Sequence, residues 1–198
     1  VWEHTVNAVA KAKNKENIKL AMFFHDIAKP ECFVMDSSKR GHFKGHAKKS
    51  ALIAEAIMVR LRFPKSVIKN VSAIICHHSD ELNSRYELKK ILNKIGIENT
   101  FDLIDAQRAD SLAKQEFCRE RLKKSDKQEQ DLRDILEKKE CYNLNMLEIN
   151  GSDLIKLGFL GIEIKNILNL LLDNVMSGNI ENNHNALIAH ANSIKFSK

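Results

Sequence analysis

Seven residues of this chain have the types and spacing to do chemistry: His4, the doublet His25-Asp26, His46, the doublet His77-His78, and Asp110. A histidine, then a His-Asp pair, then a distant aspartate is a metal-site pattern. Imidazole nitrogen and carboxylate oxygen together suit divalent first-row metals. No thiolate belongs to the set, which argues against a structural zinc knuckle. His46, His77 and His78 either extend one metal site to two or meet a phosphate. The chemistry expected is a metal-dependent reaction on a phosphate ester.

The elements that must position these residues are helices. Forty-three per cent of the 198 residues are hydrophobic, enough for a real core, while only 6% are aromatic and there are just 7 Gly and 2 Pro. That composition favours an all-α fold over a sandwich or barrel. Helix patterns are expected over residues 2–13, 16–28, 43–61, 64–78, 84–95 and 100–113. Pro30 stops the second, residues 31–42 form a polar loop, and Gly96 separates the last two. From Lys114 to Glu140 charges alternate and apolar residues thin out, as in a long, mostly solvated helix or helix pair. The expected division is residues 1–113 and 114–198, the second regaining apolar periodicity from Met146.

Periodicity places several candidates on inner faces. Val67, Val71, Ile74, Ile75 and His78 share a stripe; so do His46, Ser50, Ile53 and Ile57, and Leu103, Ala106, Asp110 and Ala113. His77 lies about 100° round its helix but near the same end. A lone carboxylate on an apolar stripe is costly unless it is paired or ligates a cation. One such residue alone reads as a hydrogen-bonded core histidine or an ion pair. Three helices each turning a polar group inward converge most simply on one centre. His42 and His184 read as surface residues, His190 as a core residue, and Asp105 as a salt-bridge partner.

Charge adds a substrate expectation. The net charge is +6 with an isoelectric point near 9.1, which suits an anionic partner. Between Lys39 and Lys69 nine basic residues face one acid, Glu55. Lys48, Lys49, Arg60 and Arg62 of this run are candidate substrate-binding residues, or simply a solvated face. Lys29, three residues after Asp26, either meets a substrate phosphate or caps a helix C-terminus. Four scattered cysteines without a C-x-x-C, and no long apolar run, lead to an expected cytoplasmic location with no membrane partner. The chain begins at Val1 inside a helical pattern, so a preceding segment is expected.

The segments FFHDIAKP, IICHH and AQRADSLA, together with His4, resemble the HD superfamily of metal-dependent phosphohydrolases. EHT, GHFKGHAKKSA, LRFP and the stretch from Ile149 to Asn183 are similar to the HD and C-terminal regions of bacterial tRNA nucleotidyltransferases, the CCA-adding enzymes and their poly(A)-polymerase-like relatives. This resemblance covers nearly the whole chain. It implies an HD-domain helical bundle followed by the long charged helix and a small tRNA-binding-like helical domain. It implies His4, His25, Asp26 and Asp110 as ligands of one or two divalent ions (Ni, Mn, Co, Fe or Mg). Asp26, His46, His77 and His78 would then be catalytic, the histidines as second-metal ligands or general acids. Hydrolysis of nucleotide phosphomonoesters or 2′,3′-cyclic phosphodiesters is the implied activity, and tRNA an implied partner. The alternative is an inactive helical body that binds tRNA. The polymerase head of that family uses an Asp-x-Asp pair, and no D-x-D occurs here, so nucleotide addition is not expected of this chain. Gly158-Phe159-Leu160-Gly161 precedes a helix and reads as a tight helix–helix turn or, alternatively, a phosphate contact.

Overall fold

The computed structural model describes residues 1–114 and 118–196. The fold is all-α, with one small two-stranded ribbon among the described residues. Two compact units form: residues 1–82 with 95–131, and residues 83–94 with 132–198.

The first unit is a bundle built on α2 (Glu16–Phe24). It packs against α1 (Trp2–Lys11), α3 (His46–Arg60), α4 (Lys65–His77) and α6 (Ile97–Ala113). Its core is aliphatic: Ile18, Met22, Met58, Ile74, Ile75, Leu103 and Ile104 are fully buried. Small residues let the helices approach, with Ala21, Ala54 and Ala106 wholly buried. The α3 stripe lies one residue away from the expected one. Ala47, Ser50, Ala51, Ala54 and Met58 are buried, and Ile53 and Ile57 are half-buried.

Two local features differ from the expected pattern. The helix carrying the His25-Asp26 doublet ends at Phe24, not at Pro30. Pro30 has no N–H to continue an α-helical ladder to the Asp26 carbonyl. That carbonyl accepts from the Lys29 amide instead, at 3.0 Å, and Ile27 bonds back to Phe24 at 3.1 Å. The chain therefore leaves α2 in a tight turn, with the doublet at the bend. Within the expected polar loop, β1 (Val34–Met35) pairs antiparallel with β2 (Gly41–His42). Asp36 organises that hairpin by accepting the amides of Ser38 and Arg40 at 2.8 and 2.9 Å.

The second unit contains α5 (Arg85–Ile95) up to Lys94, α8 (Gly151–Lys156), α9 (Ile162–Met176) and α10 (His184–Phe196). Leu147, Ile149, Leu154, Phe159, Leu171, Leu172, Val175 and Leu187 form its core, with Tyr86 packed against it. A capping box opens α8: Asn150 accepts the Ser152 amide, and Asp153 accepts the Asn150 amide. His190 is half-buried in α10.

The expected long charged helix is α7 (Cys118–Glu137). It is less solvated than its composition implies, because Ser125, Gln128, Leu132 and Ile135 are buried. The division between the two compact units falls within α7, after Asp131. Residues 83–94 join the second unit across a long stretch of sequence. Tyr86 Oη donates to Asp173 at 2.6 Å, Lys89 pairs with Glu140 at 2.8 Å, and Arg85 also pairs with Glu140. Those partners lie more than fifty residues away, so no local pattern marks the join. No described helix is long and apolar enough to cross a membrane. Cys32, Cys76 and Cys141 are free thiols.

Candidate metal centre

Helix ends assemble the centre. His4 lies in the first turn of α1 and His25 directly follows α2. His46 opens α3, His78 follows α4, and Asp110 is in the last turn of α6. Gly45, before α3, sits at φ +80, a left-handed conformation that glycine adopts without strain. It turns the chain sharply so that α3 begins with His46.

Three histidines share one local device. The Nδ1 of His25 lies 2.7 Å from the Met22 carbonyl, that of His46 2.8 Å from Phe43, and that of His78 2.7 Å from Ile75. Each ring bonds the carbonyl three residues before it. A carbonyl only accepts, so each Nδ1 carries the hydrogen and each Nε2 is directed at the centre. Fixing a ring through its other nitrogen is how metal-binding histidines are oriented.

The Nε2 and carboxylate atoms form two groups. In the first, His4 Nε2 lies 2.8 Å from Asp110 Oδ1 and 3.3 Å from His25 Nε2, and His25 Nε2 lies 3.6 Å from Asp110. In the second, His46 Nε2 and His78 Nε2 are 3.3 Å apart, and Asp26 Oδ1 is 3.4 and 3.8 Å from them. Asp26 serves both groups, because its other oxygen, Oδ2, is 3.2 Å from His25 and 3.8 Å from His4.

Electrostatics separates the two groups. Burial opposes charge on His25, but Asp110 and Asp26 outweigh it and raise its pKa to about 9. Burial likewise disfavours ionised Asp26 and Asp110. His25 with Lys29, and His25 with Lys114, nevertheless hold both carboxyls well below the usual range. The His25 proton thus balances the first group. In the second group burial pushes His78 down to about 4, against the Ile75 carbonyl.

The second group gives the test of fit for a cation. His78 and His46 each give Nδ1 to a backbone carbonyl and turn Nε2 toward one another. Asp26 Oδ1 faces them, buried and without a hydrogen-bond partner. An unpartnered buried carboxylate oxygen facing two imidazole nitrogens suits a cation. Nitrogen ligands at about 2.1 Å from a tetrahedral ion lie roughly 3.4 Å apart, which matches the 3.3 Å spacing within each group. The donor set and its spacing therefore fit a divalent metal, and no cysteine takes part.

The groups open into a cleft of about 320 Å³ lined by Asp26, His46, His78 and Asp110 together with Lys29, Lys114, Arg121 and Lys124. Lys29 Nζ is 2.6 Å from Asp26 Oδ2, and Lys114 pairs with Asp110. Of the sequence candidates, His4, His25, Asp26, His46, His78, Asp110 and Lys29 come together. His77 does not join either group. It is buried with its Nδ1 2.6 Å from Asp80 Oδ2, and it is Asp80 that lines the cleft. Lys48, Lys49, Arg60 and Arg62 are exposed outside the cleft lining, and Lys49 pairs with Glu31 at 2.7 Å. Asp105 pairs with Lys13 and Arg108, and His42 with Asp36 on the surface.

Sequence reasoning missed Lys114, Arg121 and Lys124. The signal was faint but present. Lys114 follows Asp110 by four, and Arg121, Lys124, Ser125 and Gln128 share one helical face.

A helical bundle whose helix ends gather histidines around a His-Asp doublet defines a metal-binding class of domain. The HD domain family matches residues 1–136, and the chain belongs to that family. Over 144 residues the chain is 33% identical to the CC-adding tRNA nucleotidyltransferase of Thermus thermophilus, covering 68% of this chain and 32% of the relative. It is 28% identical over 88 residues to the A-adding tRNA nucleotidyltransferase of Deinococcus radiodurans, covering 41% of this chain and 20% of that protein. The chain thus spans about a third or less of the length of these relatives. No solved structure matches it.

Proposed function

We propose that this chain is the HD-type phosphohydrolase region of a tRNA nucleotidyltransferase-like protein. Its substrates are nucleotide phosphomonoesters or 2′,3′-cyclic phosphodiesters. The observation that carries the reading is Asp26. It is buried, faces two histidine-containing groups, and leaves Oδ1 unpartnered. In this reading His4, His25 and Asp110 would hold one cation and His46 and His78, with Asp26, a second, Asp26 facing both groups. A divalent ion supplies water of lowered pKa and polarises a phosphoryl oxygen when bound.

The protein groups do the rest. Asp26 and Asp110 offset the charge of the cations. Lys29, at the cleft edge beside Asp26, meets a phosphoryl oxygen as negative charge develops. His46 and His78 serve as ligands, and their Nδ1–H bonds keep the rings from turning. His77 fixes Asp80 at the rim, where a carboxyl group can exchange a proton with a leaving oxygen.

The mixed nitrogen and oxygen donors favour Ni²⁺, Mn²⁺ or Co²⁺ over Mg²⁺. The test is hydrolysis of 2′,3′-cyclic and 3′-phosphorylated nucleotides by chain of verified metal content. Turnover that Asp26→Ala abolishes supports the proposal. A metal-loaded chain inactive on the whole set rejects it.

The names of the two relatives favour a second, compatible reading: a cytoplasmic helical body that binds tRNA for a nucleotidyltransferase. The net charge of +6 suits such a partner. Residues 1–113 would supply the phosphohydrolase-like part and residues 114–198 the tRNA-binding part, with Lys48, Lys49, Arg60 and Arg62 as an added basic surface. Under this reading tRNA affinity falls steeply as salt rises. Absence of tRNA binding at low salt excludes it.

A further inference from the structure

The described cleft lining carries four cations, Lys29, Lys114, Arg121 and Lys124, and four acids, Asp26, Asp80, Glu81 and Asp110. Lys29 and Lys114 are each engaged by a ligand carboxylate, Asp26 and Asp110. Arg121 and Lys124 also line the cleft, and neither has a carboxylate partner among the described residues. The two lie three residues apart on α7, on the face shared with Ser125 and Gln128.

That face is held in place. Gln128 is buried and donates to the Leu82 carbonyl at 2.8 Å, and the Ser125 hydroxyl bonds the Arg121 carbonyl. The nearby acids of α7 turn elsewhere: Asp126 and Glu129 each accept from Arg108 of α6 at 3.0 Å. Asp126 and Glu129 are thus engaged on Arg108, away from Arg121 and Lys124, which line the cleft. Apart from the imidazoles of His46 and His78, no aromatic or branched aliphatic side chain lines it among the described residues. Affinity in the cleft must come from charge and hydrogen bonds.

We propose that Arg121 and Lys124 bind a second phosphate of the substrate, so that the cleft takes phosphate esters carrying two phosphoryl groups. This rests on the hydrolase reading above. One phosphate is met by the metal groups and Lys29. The second meets a guanidinium, whose planar donor fork matches phosphate oxygens, and an adjacent ammonium. A small nucleoside bisphosphate and the last two phosphates of an RNA ending in a 3′-phosphate offer the same chemistry.

The test measures binding and turnover separately on the metal-loaded full chain. Adenosine 3′,5′-bisphosphate is compared with adenosine 3′-monophosphate by calorimetry and by kcat/KM. The expected result is at least tenfold tighter binding of the bisphosphate. In the Arg121→Gln/Lys124→Gln double variant this ratio falls to near one, and Arg121→Lys keeps part of it. Both side chains are exposed, and circular dichroism verifies the variant fold. Equal affinity for the two nucleotides, or a ratio unchanged in the double variant, overturns the proposal. A retained binding preference without turnover supports the phosphate site while rejecting the hydrolase reading, so the two failures are distinguishable. A short RNA bearing a 3′-phosphate, binding more tightly than the bisphosphate and losing that advantage in the double variant, assigns the second phosphate to a polynucleotide. The reverse order assigns it to a small nucleotide.

Discussion

His25, His46 and His78 each bind the carbonyl three residues back, and Asp26 lies where their Nε2 atoms converge. This gives the residues unequal weight. His78 belongs to one group of donors, whereas Asp26 belongs to that group and also faces His4 and His25 of the other. Elemental analysis of the cobalt- or nickel-loaded chain is expected to find two equivalents in the wild type. His78→Ala should retain about one, and Asp26→Ala neither. Replacing an outer partner of a metal ligand costs roughly 10–100-fold in affinity, and loss of the shared carboxylate should cost more. Equal metal content in Asp26→Ala and wild type would remove Asp26 from the centre. Asp80 is a different case. It takes no part in either group and is paired with His77, so Asp80→Asn is expected to lower kcat while leaving metal content unchanged.

Among the elements, α3 and the Glu140 segment allow separate tests. Gly45 holds φ +80 immediately before His46. A side chain there pays the left-handed penalty of about 1–2 kcal/mol. Gly45→Ala should therefore destabilise the first unit by about that amount in urea unfolding. It should also weaken the cation shared by His46 and His78 more than the one shared by His4 and His25. In the second unit Glu140 pairs with Lys89 and Arg85. Burial disfavours its charge, but the two cations hold its pKa below the ordinary glutamate value. A carboxyl group whose pKa is lowered by folding adds stability above its unfolded pKa. That contribution disappears as pH falls through the folded value. The second unit is thus expected to weaken as pH drops below about 4.3, and Glu140→Gln should flatten this acid limb. Both tyrosines, Tyr86 and Tyr142, lie in that unit, so tyrosine fluorescence reports it.

Across the whole molecule, the candidate centre lies entirely within the first unit, as does the sole tryptophan, Trp2. A ligand that binds only the folded state stabilises it by about 2.7 kcal/mol at a hundredfold excess over its Kd. Metal loading should therefore raise the unfolding midpoint seen by Trp2 more than that seen by the tyrosines. Equal shifts would show that the two units unfold as one.

What could be read from local pattern and what could not divides along a physical line. Helix periodicity, the scarcity of Gly and Pro, and the His and Asp types are properties of neighbouring residues. From them the all-α class and most helix positions could be read; the ligand set His4, His25, Asp26 and Asp110 came from the family resemblance. The exit from α2 needed more, because Pro30 acts through the carbonyl of Asp26, four residues earlier. The cations of the cleft could not be read by composition. The conspicuous basic run from 39 to 69 places Lys48, Lys49, Arg60 and Arg62 outside the cleft, while α7 brings in Arg121 and Lys124. The sharing of Asp26 between two groups, the pairing of His77 with Asp80, and the transfer of residues 83–94 to the second unit were likewise decided by packing. Each depends on partners from separate elements meeting at a few ångströms, and sequence spacing carries no record of those distances.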